Sequence, residues 1–150
     1  MMKRVVLICL VLTIIGCGET EELRIPFRQV YLELHLDGTD MELNSVNHSK
    51  VYAKRVNEFD RIGFGGIIVY HSPFDTGYGS LVAYDRSCPY EAESSTVVVV
   101  EEQGDLYAVC SKCKSKYELT SGYPTQESIS KYRLQQYRVQ GTGSKLFVTN

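Results

Sequence analysis

Apolar and polar residues alternate with a period of two along most of this chain. Val30-Tyr-Leu-Glu-Leu-His-Leu36 sets Val30, Leu32, Leu34 and Leu36 on one face, and Asp37-Gly38 ends the run as a turn. His35 then falls on the opposite, solvated face. Val51-Tyr-Ala53, Gly66-Ile-Ile-Val-Tyr70, Leu81-Val-Ala-Tyr84 and Val97-Val-Val-Val100 read as further short strands. Leu106-Tyr-Ala-Val109, Tyr137-Arg-Val139 and Lys145-Leu-Phe-Val148 complete the set. Asp-Gly, Gly-Tyr-Gly, Gly-Asp and Gly-Thr-Gly turn signals lie between them. No stretch holds an apolar 3.6-residue period for three turns, and 127–136 offers at most a helical turn or two. The pattern predicts an all-β antiparallel fold, a sandwich or small barrel, as a single domain over 25–150. Its 11 tyrosines suit that reading, since aromatic rings favour pleated, half-buried positions.

The first two dozen residues break the alternation. Lys3 and Arg4 precede an apolar run, Val5 to Ile15, interrupted only by Thr13. A bilayer needs roughly 20 such residues, so the run is too short to span one and instead suits a signal peptide. It ends in Ile-Gly16-Cys17, which resembles a bacterial lipobox. Residues 1–16 are therefore expected to be removed, taking Cys9 with them, and Cys17 to be lipidated. Residues 17–24, with Glu19, Glu21 and Glu22, form an acidic tether of the kind that resembles a surface-export signal. The expected partner is the membrane, and the expected location is the cell envelope, on its periplasmic or surface-exposed face.

Charge narrows the remaining choices. Removing Lys3 and Arg4 from 16 basic residues leaves 14 against 18 acidic ones, a net charge of −4 for the mature chain. No basic stripe exists, so nucleic acid is not an expected partner. Gly63-Phe-Gly65-Gly66 has the look of a phosphate loop, but a β-type run follows where a helix would have to begin. It reads as a turn with close backbone approach. His35, His48 and His71 are scattered, and no nucleophile–base set can be assembled from them.

The chemistry concentrates in three cysteines of the mature chain. Cys88-Pro-Tyr90-Glu91 leaves the strand 81–84, and Cys110-Ser-Lys-Cys113 leaves the strand 106–109. The intervening runs read as a hairpin with its tip at Glu101-Glu102 to Gly104-Asp105. Two loops brought side by side by a hairpin would place thiols around one point.

These loops resemble those of the Rieske iron–sulfur domain. That family carries Cys-x-His on one loop and Cys-x-x-His on the next; here Cys88-Pro-Tyr90 and Cys110-Ser-Lys-Cys113 stand in those places. Lys114-Ser-Lys-Tyr117-Glu118-Leu-Thr-Ser-Gly122 keeps the spacing of the family's Gly-x-x-Phe-Asp-x-x-Thr-Gly run. Gly79 to Pro89 is similar to the approach to the first loop, and Leu134 to Val148 to the closing strands. The specific part of the likeness covers roughly residues 64–150, and the earlier strands are similar to Bacteroidetes Rieske-like lipoproteins. The resemblance implies a Rieske-like all-β fold with a cluster-binding-type subdomain of two loops, about 84–124. It also implies that Tyr84, Asp85, Tyr117 and Glu118 are structural.

The departures fall on the ligands. A Rieske [2Fe–2S] centre binds one iron through two cysteines and the other through two imidazoles. By position Cys88 and Cys110 match the cysteine pair, while Tyr90 and Cys113 replace both histidines. Four states of the site follow. Cys88–Cys110 can be a disulfide, with Cys110–Cys113 as the other pairing. Cys88, Cys110 and Cys113 can hold one zinc or iron, with Tyr90, Glu91 or His71 as fourth ligand. An atypical [2Fe–2S] cluster can use Cys88, Tyr90, Cys110 and Cys113. A catalytic dithiol has the least support, because such pairs sit at helix N-termini. The expected function is a non-redox binding or accessory module of the envelope. The alternative is an electron-transfer protein with a non-standard centre and an envelope redox or assembly partner. A Rieske oxygenase is not expected, since the length leaves no room for its separate catalytic iron domain.

Overall fold

The computed structural model describes residues 24–75 and 79–150. The leader and Cys17 lie outside the described residues. Ten strands follow in chain order: β1 (Val30–His35), β2 (Ser49–Tyr52), β3 (Arg61–Ile62), β4 (Ile67–His71), β5 (Leu81–Asp85), β6 (Val98–Val99), β7 (Tyr107–Cys110), β8 (Lys116–Glu118), β9 (Gln136–Thr142) and β10 (Lys145–Thr149). Among the described residues there is no α-helix; Met41–Asn44 makes one 3-10 turn, and 127–135 runs as turns and bends. No described helix is long and apolar enough to cross a membrane.

Seven strands form one antiparallel sheet in the order β2-β4-β5-β9-β10-β1-β3. Strand β9 belongs to two neighbourhoods at once. Its first residues, Gln136 and Tyr137, pair with Tyr84 and Ala83 of β5. Arg138 to Thr142 pair instead with β10. The sheet curls at this strand until its two ends share one interior, so that it approaches a barrel. Leu32 and Leu34 of β1, Ile67 and Val69 of β4, Tyr52 of β2 and Val139 of β9 meet there. The alternation of β1 survives intact: Val30, Leu32 and Leu34 are buried, with the residues between them on the wetter face.

The second sheet is small, in the order β6-β7-β8. The β6–β7 pair is a hairpin, with Val98 opposite Cys110 and Val99 opposite Val109. It covers the outer face of β4 and β5. That is why β4 carries apolar residues on both sides: Ile67 and Val69 face the large interior, while Ile68 and Tyr70 face the small sheet. Tyr70, Tyr84, Val98, Ala108, Tyr117, Leu119 and Leu134 fill this second core, with Cys88 and Cys110 among them.

One buried carboxylate ties the large sheet to the loop before β4. Asp85 Oδ2 accepts the Phe64 N–H at 2.7 Å and the Tyr137 hydroxyl at 2.6 Å. Its Oδ1 accepts the Gly65 N–H at 3.1 Å and the Ser87 N–H at 2.7 Å. The glycine-rich turn thus cradles an anion of its own chain. Gly65 is required there, because a Cβ would stand 2.1 Å from Ser87 Oγ.

Candidate metal centre

The two loops that leave β5 and β7 bring Cys88, Cys110 and Cys113 together. Their sulfur atoms all lie within 4.8 Å of one another, the first two residues buried and the third half-buried. Each loop is pinned by backbone hydrogen bonds from its first cysteine. Cys88 N–H donates to Thr96 C=O, and Cys110 N–H to Ser115 C=O, both at 2.9 Å. An isolated bridge between Ser87 and Val97 holds the first loop against the start of the small sheet. The thiols are free. Either disulfide pairing expected from the sequence requires oxidation and closure to about 2.05 Å.

Cys88 and Cys113 Sγ are 3.7 Å apart. Tetrahedral metal–thiolate bonds of about 2.3 Å place neighbouring sulfurs about 3.8 Å apart. The separation, a thiol–thiol contact in the free chain, also matches that of two ligands on a single ion. The Rieske arrangement puts these two positions on different irons, separated by the iron–iron distance and by the outward reach of both bonds. The Tyr90 ring, the other donor expected on the second iron, is 43% exposed; it is the Tyr90 backbone N–H that reaches Cys88. Three converging thiols with no histidine in the group are a different donor set from the two cysteines and two imidazoles of a Rieske centre.

The phenol beside the sulfurs comes from Tyr117. Its ring is fully buried and its hydroxyl stands 3.3 Å from Cys88 Sγ. The expectation of a core role for Tyr117 holds for the ring and misses the hydroxyl. Burial, then the contact with Cys88, push the Tyr117 pKa above that of an ordinary phenol, so it acts as a neutral hydrogen-bond donor. Ser115 was not distinguished by any sequence signal. Its Oγ accepts the Ser130 N–H at 3.1 Å and the Cys113 S–H at 3.2 Å, and once Cys113 ionises its own hydroxyl can donate to the sulfur.

These surroundings separate the thiols. Burial pushes Cys88 up to about 12, against the opposing Tyr117 hydroxyl and the N–H groups of Glu91 and Tyr90. Burial also opposes ionisation of Cys113, but the hydroxyl and N–H of Ser115 and the adjoining thiols outweigh it and carry Cys113 below the ordinary thiol value. Without metal, Cys113 is the first of this pair to ionise and Cys88 holds its proton. Lys112 reaches from the second loop to Glu91 of the first at 2.7 Å, with Glu93 at 3.5 Å. Lys112, Lys114 and Lys116 place positive charge along the loop that carries two of the three thiols.

The remaining candidates lie elsewhere. His71, at the end of β4, donates its Nδ1–H to Leu43 C=O (2.7 Å), and its Nε2 meets Ser80 Oγ at 2.8 Å. Both ring nitrogens are thus engaged away from the cysteines. His35 Nε2 pairs with Glu33 at 2.9 Å, and His48 Nδ1 lies 3.3 Å from Val46 C=O.

No protein-family model matches the chain, and no curated protein matches it in sequence. Solved structures do match it in shape. The ferredoxin of carbazole 1,9a-dioxygenase from Nocardioides aromaticivorans IC177 aligns at 17% identity over 79% of this chain and 96% of its own, with a TM-score of 0.45. A complex of reduced oxygenase and oxidised ferredoxin from carbazole 1,9a-dioxygenase aligns at 14% identity, over 81% of this chain and 94% of that one, at 0.49. A quaternary ammonium Rieske monooxygenase gives 0.52 at 15% identity, over 80% of this chain and 30% of its own. At such identities the likeness speaks to architecture alone. The chain has a Rieske-like all-β fold, and its two site loops present three converging thiols.

Proposed function

We propose that this chain is a lipid-anchored envelope protein, of the Bacteroidetes Rieske-like lipoprotein kind, whose fold carries one metal ion on Cys88, Cys110 and Cys113. The observation that carries the reading is the thiol triangle with its 3.7 Å edge between Cys88 and Cys113. Zinc suits a closed, thiolate-rich site and has no redox chemistry, so the ion would lock the two loops into one surface. The module then works as a non-redox binding or accessory component of the envelope. The basic start, short apolar run and Gly16-Cys17 support the anchor. Two lipid chains or more give stable attachment, each buried methylene contributing about 0.8 kcal/mol.

Metal and sulfide analysis of the anaerobically purified, reduced protein tests the centre. One zinc per chain and no visible absorption is the expected result. Bands between about 400 and 600 nm with equal iron and acid-labile sulfide would establish a cluster and end this reading. Incorporation of labelled fatty acid, abolished in Cys17→Ser, tests the anchor.

A second reading places iron in the same triangle, giving a one-electron carrier for an envelope redox partner. The hydroxyls of Tyr117 and Ser115 at the sulfurs favour it, because donors on thiolate sulfur tune the potential of a bound metal. Iron–thiolate absorption that bleaches and recovers reversibly on redox titration distinguishes it from the zinc form.

A further inference from the structure

The two site loops differ in sequence yet close in the same way. In the first, Ala92 N–H donates to Cys88 C=O at 2.8 Å, and Ala92 has φ 54°. In the second, Lys114 N–H donates to Cys110 C=O at 3.2 Å, and Lys114 has φ 61°. Among the described residues only Asn47 joins these two as a non-glycine residue with positive φ. Such a backbone costs about 1 kcal/mol or more, so its use at the same step of both loops marks a shared turn. Each turn starts at a cysteine and ends four residues later in the left-handed region. The position just before that end is Cys113 in one loop and Glu91 in the other.

From this position Cys113 delivers its sulfur to the centre. We infer that Glu91 is the fourth ligand, completing a set of three thiolates and one carboxylate; this rests on the metal-centre reading above. The Glu91 side chain is only 13% exposed and its backbone N–H reaches Cys88 Sγ. Without metal its carboxylate is held by Lys112 at 2.7 Å, and Lys112 has Glu93 as a second acid at 3.5 Å. In the metal-free chain the Glu91 carboxylate stands outside the group of three thiols, on Lys112, so binding the ion requires it to leave that ion pair while Lys112 keeps Glu93. The three thiols lose their protons as the ion binds. Four anionic donors around a dication leave a net charge of −2, beside which Lys114 and Lys116 place positive charge. A carboxylate is a hard donor, so the set selects a borderline divalent ion such as zinc over copper(I). The rival donors are placed otherwise: the Tyr117 hydroxyl stands 3.3 Å from Cys88 Sγ as a hydrogen-bond partner, and His71 is engaged at Leu43 and Ser80.

The test titrates the full, reduced chain with Co(II) and Zn(II), and counts donors on the zinc form by X-ray absorption. Wild type should give tetrahedral cobalt bands and a shell of three sulfurs and one oxygen. Glu91→Gln should weaken metal binding by about tenfold or more. Glu91→Cys should bind and show four sulfurs, which demonstrates that the position points at the ion. Lys112→Met removes the same ion pair without removing the ligand, so its affinity should hold or rise. Equal weakening by Glu91→Gln and Lys112→Met would reduce Glu91 to a salt-bridge role and overturn the inference. Unchanged affinity in Glu91→Gln, or three sulfurs in Glu91→Cys, would do the same while leaving the three-thiol centre standing. Absence of metal binding by wild type would overturn the centre and this ligand together.

Discussion

The seven-stranded sheet and the three-stranded sheet share β4 and β5 as a common wall, yet they depend on different resources. The large sheet has strands of up to seven residues and an interior of aliphatic side chains from five of them. The small sheet has strands of two, four and three residues. Strands this short give no independent stability, so this sheet leans on Tyr70 and Tyr84 of the wall and on whatever joins its loops. Two of the residues in its core are cysteines of the site. Burial holds the large sheet together, while the small sheet has a buried core that includes two thiols of the site, to which the proposed ion would add. The site sits where the strands are shortest because loop backbone, released from a ladder, is free to aim N–H groups and side chains at one point.

The hardest blow to this division falls on the joint between the loops and the large sheet. Asp85→Ala leaves the N–H groups of Phe64, Gly65 and Ser87 and the Tyr137 hydroxyl without their acceptor. The expected cost is about 3 kcal/mol or more in urea denaturation, from several donors left buried and unpaired. Both sheets should lose structure in one transition. Retention of the large sheet alone would show that the joint is not shared.

Metal removal should act on one side only. At free metal one hundred times its Kd, a bound ion adds about 2.7 kcal/mol, and a chelator withdraws it. Hydrogen exchange should then accelerate in β7 and β8 and stay unchanged in β1, β9 and β10. Equal acceleration in both sheets would erase the distinction drawn here.

A smaller effect is expected where the small core meets the wall. Gly122 has φ +76°, and a Cβ there would stand 2.7 Å from Tyr84 Cε1. Gly122→Ala should cost about 1–3 kcal/mol through overpacking. The loss should register first as faster exchange around β8 rather than in β10.

The mildest probe is pH, applied to the reduced, metal-free chain. Iodoacetamide should take Cys113 at lower pH than an ordinary thiol, and Cys88 only near pH 12. The signs for stability are opposite. Cys88 keeps its proton in the folded state beyond the ordinary thiol value of 9.0, so its contribution is complete below pH 9 and is lost as pH rises towards 12. Cys113, depressed, contributes above pH 9 and loses that contribution as pH falls through its folded value. Simultaneous alkylation of the two at one pH would contradict the separation of their environments.

Much of the large sheet could be read from alternation. Val30, Leu32 and Leu34 point inward as a period of two requires, because one face of β1 is buried and the other is wet. The small sheet was less legible. Lys116-Tyr-Glu118 has one apolar residue between two charges and reads as loop; it forms β8 because Ala108 and Val109 of the β7 backbone lie alongside. Arg61–Ile62 makes only a two-residue pairing with β1, too brief for any pattern to register. At the site, spacing along the chain brought out the cysteines but not their neighbours. The loops with Cys88, Cys110 and Cys113 were visible, since cysteine is rare and each loop follows an apolar run. Position in the first loop singles out Tyr90, whereas the phenol standing at the sulfurs is that of Tyr117, brought there from β8 by pairing that spacing along the chain does not carry. Ser115 and Ala92 were invisible for the same reason.

The matched turns of the two loops have one more consequence. Each closes on its own main chain, from the cysteine carbonyl to the N–H four residues on, and neither closure involves the side chain that precedes its end. That side chain is a replaceable fitting in a standard socket. Exchanging Glu91 or Cys113 for another donor leaves the closing main-chain hydrogen bonds in place, although Cys113 also packs against the small core. A lineage built on this frame could move from one ion to another through single substitutions, each intermediate still folded. If the proposed centre holds an ion, the frame would make the choice of metal an evolvable trait, inherited separately from the architecture that displays it.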